Sequence, residues 1–333
     1  MDKISVIGAG SWGSALARIL ADNKNDVLMF DVDEKIVNEI NTFHTNKEKL
    51  PIGNLPLNVK STTSIEEAIL FSDIILLSVP TKVLRDVLKK INLCIDKPKL
   101  FVNTSKGIEP DTFLRVSEIV KQEINNEMIL GFVALTGPSH AEEVINQLLT
   151  TVCSVSDNHD HAVLIQKLFN NRHYFRVYTC SDLVGAEICG ALKNIYAIAS
   201  GMLYGLGLGD NARAGLISRA LVEMKRFCML VNAKEETVYG LTGIGDLVVT
   251  TTSHHSRNFQ AGVKLATGSN LEETISSMTM VVEGARTAEA AYKKSIELNI
   301  ETPIIEEVYK VIYEHKKVLD AVNDLMSRSL KEE

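Results

Sequence analysis

The sequence predicts a two-domain α/β protein, in which an N-terminal doubly wound sheet (1–180) is followed by an all-helical domain (181–333). Three observations predict it. Short apolar runs alternate with helical patterns through the first half, as in a parallel sheet covered on both faces by helices. From about Ser181 helical periodicity continues while strand signals nearly disappear. A chain of 333 residues also exceeds one ordinary small domain.

Taken in order, residues 4–7 (ISVI) read as a buried strand, and apolar spacing over 12–21 reads as the helix that follows. The next strands fall at 27–30, at 73–79 (DIILLSV, stopped by Pro80) and at 100–103. Further β-rich runs lie at 132–135, 150–155 and 174–179. The second half carries long helical patterns at 183–206, 213–232 and 283–298. The polar end Lys331-Glu332-Glu333 reads as a frayed terminus.

Composition narrows the function classes. Apolar residues make up 45% and charged residues 23%, the balance of a globular protein with a sizeable core. A net charge of −7 leaves no general basic surface for nucleic acid, so any bound anion needs a local site. Cys94, Cys153, Cys180, Cys189 and Cys228 show no paired spacing and read as reduced thiols. The N-terminus runs directly into an apolar strand without a signal-peptide pattern, and no apolar run reaches bilayer-spanning length. The expectation is a cytoplasmic protein with no anchor of its own.

Gly8-Ala9-Gly10-Ser11-Trp12-Gly13 fits G-x-G-x-x-G, directly after the first strand and at the start of a helix. The glycines serve a tight turn, close approach to a pyrophosphate and helix–strand packing, and the helix N-terminus offers free N–H groups to phosphate. A turn of purely structural use is the bland alternative, but the strand–turn–helix setting favours a Rossmann-type dinucleotide site. Asp31 ends the second strand, where a carboxylate accepts ribose hydroxyls and repels a 2′-phosphate. Since 31–35 holds no arginine, NAD is favoured over NADP, although Asp31, Asp33 and Glu34 also suit a merely solvated strand end.

Several strings then act together. They are GAGSWG (8–13), NTSKGIE (103–109), GPSHA (137–141), ALKN (191–194), GIGDL (243–247), SRN (256–258) and VVEG (281–284). In this order and spacing, over nearly the whole chain, the set closely resembles the bacterial NAD(P)-dependent sn-glycerol-3-phosphate dehydrogenases. The resemblance implies NAD(P)H-dependent reduction of dihydroxyacetone phosphate to sn-glycerol 3-phosphate, feeding glycerophospholipid synthesis. One departure is Val32, where that family commonly carries Arg or His, which weakens an NADPH preference. The segment 252–255 (TSHH) is also atypical.

Reducing a ketone puts charge on its oxygen and calls for a proton donor. Lys193 lies in a mostly apolar helical run, where burial lowers an ammonium pKa towards the working range. A lysine snorkelling to water is the residue-level alternative, and the resemblance places the family's catalytic lysine on Lys193. Gly190, Asn194, Ala197 and Gly201 recur beside it as a small-residue stripe for close packing or a ligand. Asp246, after Gly243 and Gly245, could orient Lys193 and accept a substrate hydroxyl, or simply cap a helix. Lys106 sits beyond a strand's C-terminal end, where α/β sheets place ligands, and could polarise the carbonyl. Gly137, Ser139 and Ala141 form a turn whose backbone could approach substrate and nicotinamide.

Ser256-Arg257-Asn258 combines a guanidinium with a helix N-terminus, which suits phosphate but equally an ordinary cap and a surface Arg. The resemblance assigns these residues to substrate phosphate, gives Arg257 a cofactor contact as well, and puts Val281 and Glu283 on the cofactor side. His254-His255 lack the spacing and companions of a metal site, so no metal is expected. The apolar helices of the second domain leave room for a homodimer. A dehydrogenase acting on a 3-hydroxy acid and a dinucleotide-binding sensor without turnover are the competing readings.

Overall fold

The fold was obtained as a computed structural model, which describes residues 2–269, 271–276, 282–330 and 332. The chain divides into two compact units, 1–106 with 115–186, and 107–114 with 187–333.

The first unit alternates strands and helices: β1 (Lys3–Ile7), α1 (Ser11–Asp22), β2 (Asp26–Phe30), α2 (Glu34–Phe43), β3 (Val59–Thr62) and α3 (Ile65–Phe71). It continues with β4 (Ile74–Leu77), α4 (Thr81–Cys94), β5 (Lys99–Asn103), α5 (Val116–Glu123), β6 (Ile129–Thr136), α6 (Ala141–Ile145), β7 (Thr150–Val155), α7 (His159–Phe169) and β8 (Phe175–Cys180). The eight strands form one sheet in the order β3-β2-β1-β4-β5-β6-β7-β8. The order reverses between β1 and β4, and the crevice at such a switch point is where open α/β sheets bind ligands. Around the sheet, Ala15, Leu16, Ile19 and Leu20 of α1 join Ile4, Val6, Val27 and Met29 in the core.

Two features depart from the sequence reading. The sheet is mixed, because β7 runs antiparallel to β6 while every other pair is parallel. The apolar pattern of a strand reads the same in both directions, so it carries no signal of parallel or antiparallel pairing. The second feature is β3, whose VKST sequence holds one bulky apolar residue and so gives no strand pattern, yet pairs in register with β2 at the sheet edge.

The second unit is helical. Its elements are α8 (Leu183–Gly205, which begins in the first unit), α9 (Gly209–Leu230), α10 (Glu235–Val238), α11 (Asp246–Thr252), α12 (Arg257–Ala266), α13 (Leu271–Ser276), α14 (Glu283–Glu297), α15 (Pro303–Tyr313) and α16 (Val318–Met326). A π-helical turn, Leu241–Gly245, precedes α11. Every residue of α8 from 188 to 202 is buried, which makes it the axial helix of this unit. The small-residue stripe serves packing at its far end, since a Cβ on Gly201 would lie 2.0 Å from the Phe259 carbonyl of α12.

Glu223 of α9, also buried, accepts hydrogen bonds from the N–H groups of Ile304 (2.6 Å) and Ile305 (3.3 Å) at the first turn of α15. Burial pushes its carboxyl up to about 8, against the opposing pull of those two donors. All five cysteines are free thiols, with Cys189 and Cys228 in contact at 3.6 Å. No helix among the described residues is long and apolar enough to cross a membrane.

Candidate active site

In the first unit the glycine turn follows β1. Gly8 adopts φ +108°, and a Cβ there would lie 2.7 Å from the Ser78 carbonyl beyond β4, so both backbone and space require glycine. A Cβ on Gly13 would meet the Gly8 carbonyl at 2.1 Å, whereas nothing lies within 4 Å of one on Gly10. The open face is therefore at Gly10, the N-cap of α1. That helix has no capping side chain and no acidic residue in its first turn, which leaves its positive end to an anion. These features fit a dinucleotide pyrophosphate.

Around the turn, the Ser11 hydroxyl donates to the Lys49 carbonyl at 2.5 Å, and Trp12 is partly buried against the core. Asp31 has a further task beyond the one its position suggested. Its Oδ2 accepts from the Ala9 N–H (2.9 Å) and its Oδ1 from the Asp33 N–H (3.1 Å), tying the end of β2 to the glycine turn. Each oxygen keeps a second lone pair for another donor. Beside it, Val32 is 77% exposed.

The C-terminal ends of β5 and β6 bring a second group together. The Asn103 side chain receives the Ser105 N–H (2.9 Å), and the Ser105 hydroxyl donates to the Val79 carbonyl (2.6 Å), which fixes the turn that carries Lys106. Lys106 Nζ then donates to the Gly137 carbonyl (2.9 Å), which also receives the Ser139 hydroxyl (3.0 Å). Gly137 itself sits at φ +144°, and Ala141 is the buried first residue of α6.

In the helical unit Lys193 of α8 is only 5% exposed and Asp246 only 1%. Lys193 does not snorkel to water. Its Nζ donates to Asp246 Oδ1 (2.5 Å) and to Thr250 Oγ1 (2.8 Å), and the Thr250 hydroxyl donates to the Asp246 carbonyl (2.6 Å). Asp246 is not a helix cap either. The N-cap of α11 is Gly245, in helical conformation, and the Asp246 carboxylate receives the lysine. A π-helical turn of the kind often found at functional sites delivers it there. Thr250 was not found by sequence reading, although its place one turn after Asp246 on a helix is the signal that could have found it.

One residue after Lys193, Asn194 Oδ1 accepts from Asn258 Nδ2 (2.9 Å), and Asn258 Oδ1 accepts from the Gly284 N–H (2.9 Å). Asn258 thus bridges α8, α12 and the start of α14. Ser256 is the N-cap of α12, accepting from the Phe259 N–H at 3.3 Å, and Arg257 follows as an exposed first residue. Glu283 opens α14 half-buried, while Val281 lies outside the described residues. The ring of His254 packs edge-on against Tyr204 and Phe259, each at 5.3 Å. Among the described residues no group of three or more His, Cys, Asp or Glu is placed to hold a metal ion.

Comparison with known proteins agrees over both units. The family model described as NAD-dependent glycerol-3-phosphate dehydrogenase N-terminus matches residues 3–162, and its C-terminus counterpart matches 182–323. A glycerol-3-phosphate dehydrogenase [NAD(P)+] of Acholeplasma laidlawii is 47% identical, with 99% of each chain covered. The enzyme of the same name from Bacillus pumilus is 49% identical, covering 98% of this chain and 95% of its own. The crystal structure of glycerol-3-phosphate dehydrogenase from Coxiella burnetii superposes with a TM-score of 0.93 at 32% identity, covering 98% of this chain and 99% of that one. With both halves matched and similarity of this extent, the chain belongs to the NAD-dependent glycerol-3-phosphate dehydrogenase family.

Proposed function

We propose that this protein reduces dihydroxyacetone phosphate to sn-glycerol 3-phosphate with a reduced nicotinamide dinucleotide, reversibly, and so supplies glycerophospholipid synthesis. The observation that carries the chemistry is the buried Lys193–Asp246–Thr250 cluster. A lysine excluded from water and joined to a carboxylate has no surface role, and two fixed acceptors hold its amine in one place. When bound, the nicotinamide supplies the hydride. Lys193 gives the proton to the nascent alkoxide, or takes it from the alcohol in reverse, and Asp246 orients the amine through the change. Lys106 polarises the carbonyl, while Gly137 and Ser139 give the substrate backbone and hydroxyl contacts.

Ser256, Arg257 and Asn258 form the phosphate cradle at the head of α12, whose ten residues carry a positive N-terminal end. Gly8, Gly10, Ser11, Trp12, Gly13, Asp31, Lys106, Ala141, Arg257, Val281 and Glu283 make up the cofactor set in this reading. NAD is preferred over NADP. A carboxylate at the end of β2, as Asp31 is, would repel a 2′-phosphate, and its exposed neighbour Val32 carries no compensating cation. The protein works as a cytoplasmic homodimer in this proposal.

Oxidation of NADH by the purified protein tests the reaction. It is expected to be rapid with dihydroxyacetone phosphate and slow with unphosphorylated dihydroxyacetone. Equal rates would overturn the phosphate cradle, and no oxidation by folded protein would overturn the activity.

A further inference from the structure

The segment that follows α2 is tied to the glycine turn by side chains far from it in sequence. Asn46, only 3% exposed, donates from Nδ2 to the Ala9 carbonyl (2.7 Å) and to Ser14 Oγ (2.9 Å). Its neighbours are pinned to α2, because Glu39 Oε1 accepts from the Thr45 hydroxyl (2.6 Å) and the Lys47 N–H (2.8 Å). The Leu50 N–H closes the segment on the Asn46 carbonyl (2.7 Å), with the Leu50 side chain buried in the core. Asn46 Oδ1 is itself buried without a partner. An unpaired buried oxygen costs about 1–3 kcal/mol, so an amide kept there needs a reason.

We propose that Asn46 is a positioning residue for the dinucleotide, which aims the Gly10 N–H at the pyrophosphate by holding the Ala9 carbonyl. The inference rests on the cofactor reading of the glycine turn. No peptide bond among the described residues is cis, so the carbonyl of Ala9 and the N–H of Gly10 point in opposite directions within one planar unit. Fixing the oxygen fixes the N–H. The preceding peptide is fixed as well, through the Ala9 N–H on Asp31 Oδ2. Asp31 and Asn46 together hold both peptide planes of Ala9, and the face at Gly10 stays open. Gly10 has no side chain to restrain its backbone, so without Asn46 the turn samples other orientations and binding must order it.

Trp12 is the only tryptophan in the chain and lies two residues beyond Gly10, so its fluorescence reports on this turn. The experiment titrates NADH into the full-length protein and into Asn46→Ala, follows Trp12 quenching, and measures kcat at saturating NADH. Loss of these hydrogen bonds should weaken NADH binding about tenfold, the equivalent of about 1.4 kcal/mol. It should leave kcat at saturation within about twofold and the KM for dihydroxyacetone phosphate unchanged. Leu50→Ala, which loosens the same segment but keeps the Asn46 amide, should lower Tm and weaken NADH binding less than Asn46→Ala does.

An unchanged Kd in Asn46→Ala overturns the proposal. So does a kcat loss at unchanged Kd, or an equal Kd change in Leu50→Ala. Wild-type protein that does not bind NADH would instead overturn the underlying cofactor reading. Should Asn46→Ala not fold, Asn46→Leu keeps most of the side-chain size, carries no donor for the Ala9 carbonyl and adds no charge, and is read in the same way.

Discussion

Replacing Lys193 by methionine and Asp246 by asparagine, singly and together, should separate what this pair does for stability from what it does for chemistry. Both groups are almost wholly removed from water, with side chains 6% and 1% exposed. Removing one partner strands a buried charge, and each single variant should lose about 3 kcal/mol. In Lys193→Met the stranded group is the Asp246 carboxylate. In Asp246→Asn it is the Lys193 cation, still hydrogen-bonded but without a counter-ion. The double variant strands neither charge. Methionine fills much of the lysine volume and Thr250 keeps its bond to the Asp246 backbone, so the double loss should be only about 1 kcal/mol.

Urea unfolding followed by circular dichroism measures the stability side of this cycle, and dihydroxyacetone phosphate-dependent NADH oxidation measures the other. Turnover should fall about 10²–10⁴-fold in Lys193→Met and remain as low in the double variant, despite its recovered stability. Two results would refute the reasoning. One is a double variant as unstable as the two singles combined, meaning that the pair is not electrostatically coupled. The other is Lys193→Met with turnover within about tenfold of wild type, outside what loss of a proton donor allows.

Val32→Arg places a guanidinium beside Asp31 on an exposed position, and a charge-assisted pair with a 2′-phosphate should raise the NADPH/NADH ratio of kcat/KM about tenfold or more. An unchanged ratio in steady-state assays would remove Asp31 and Val32 from cofactor choice. Glu223 should make stability fall as pH rises. Its folded carboxyl is pushed up to about 8 by burial, above its unfolded value, so the contribution is complete below about 4.5 and is lost as pH rises through about 8. Glu223→Gln should flatten the slope of denaturant stability between those pH values, and an unaltered slope would show that Glu223 does not take up a proton on folding.

The parts legible in the sequence are those where a short stretch contains its own physical reason. β7 coincides with the expected run 150–155, and α8 and α14 fall within a residue of the patterns at 183–206 and 283–298. Their apolar residues recur at the period of the element they form. β3 escaped because an edge strand buries little and needs no apolar pattern. The reversal between β6 and β7 escaped because the apolar pattern of a strand reads the same in both directions.

Sites follow the same division. The glycine turn is legible because one local stretch holds the strand end, the turn and the helix start, and each glycine answers a local steric demand. Lys193 and Asp246 are 53 positions apart, and no periodicity reaches across that interval. They were found as a pair only through a resemblance spread over seven strings. Asn46 shows where both routes end. It is 37 positions from Ala9, and in sequence an Asn beside Thr and Lys has only the look of a turn. What makes it consequential is an amide folded back onto a carbonyl that has no side chain of its own to hold it. A residue that acts on another's backbone leaves no chemical type to recognise, so positions of this kind become visible only when the chain is folded.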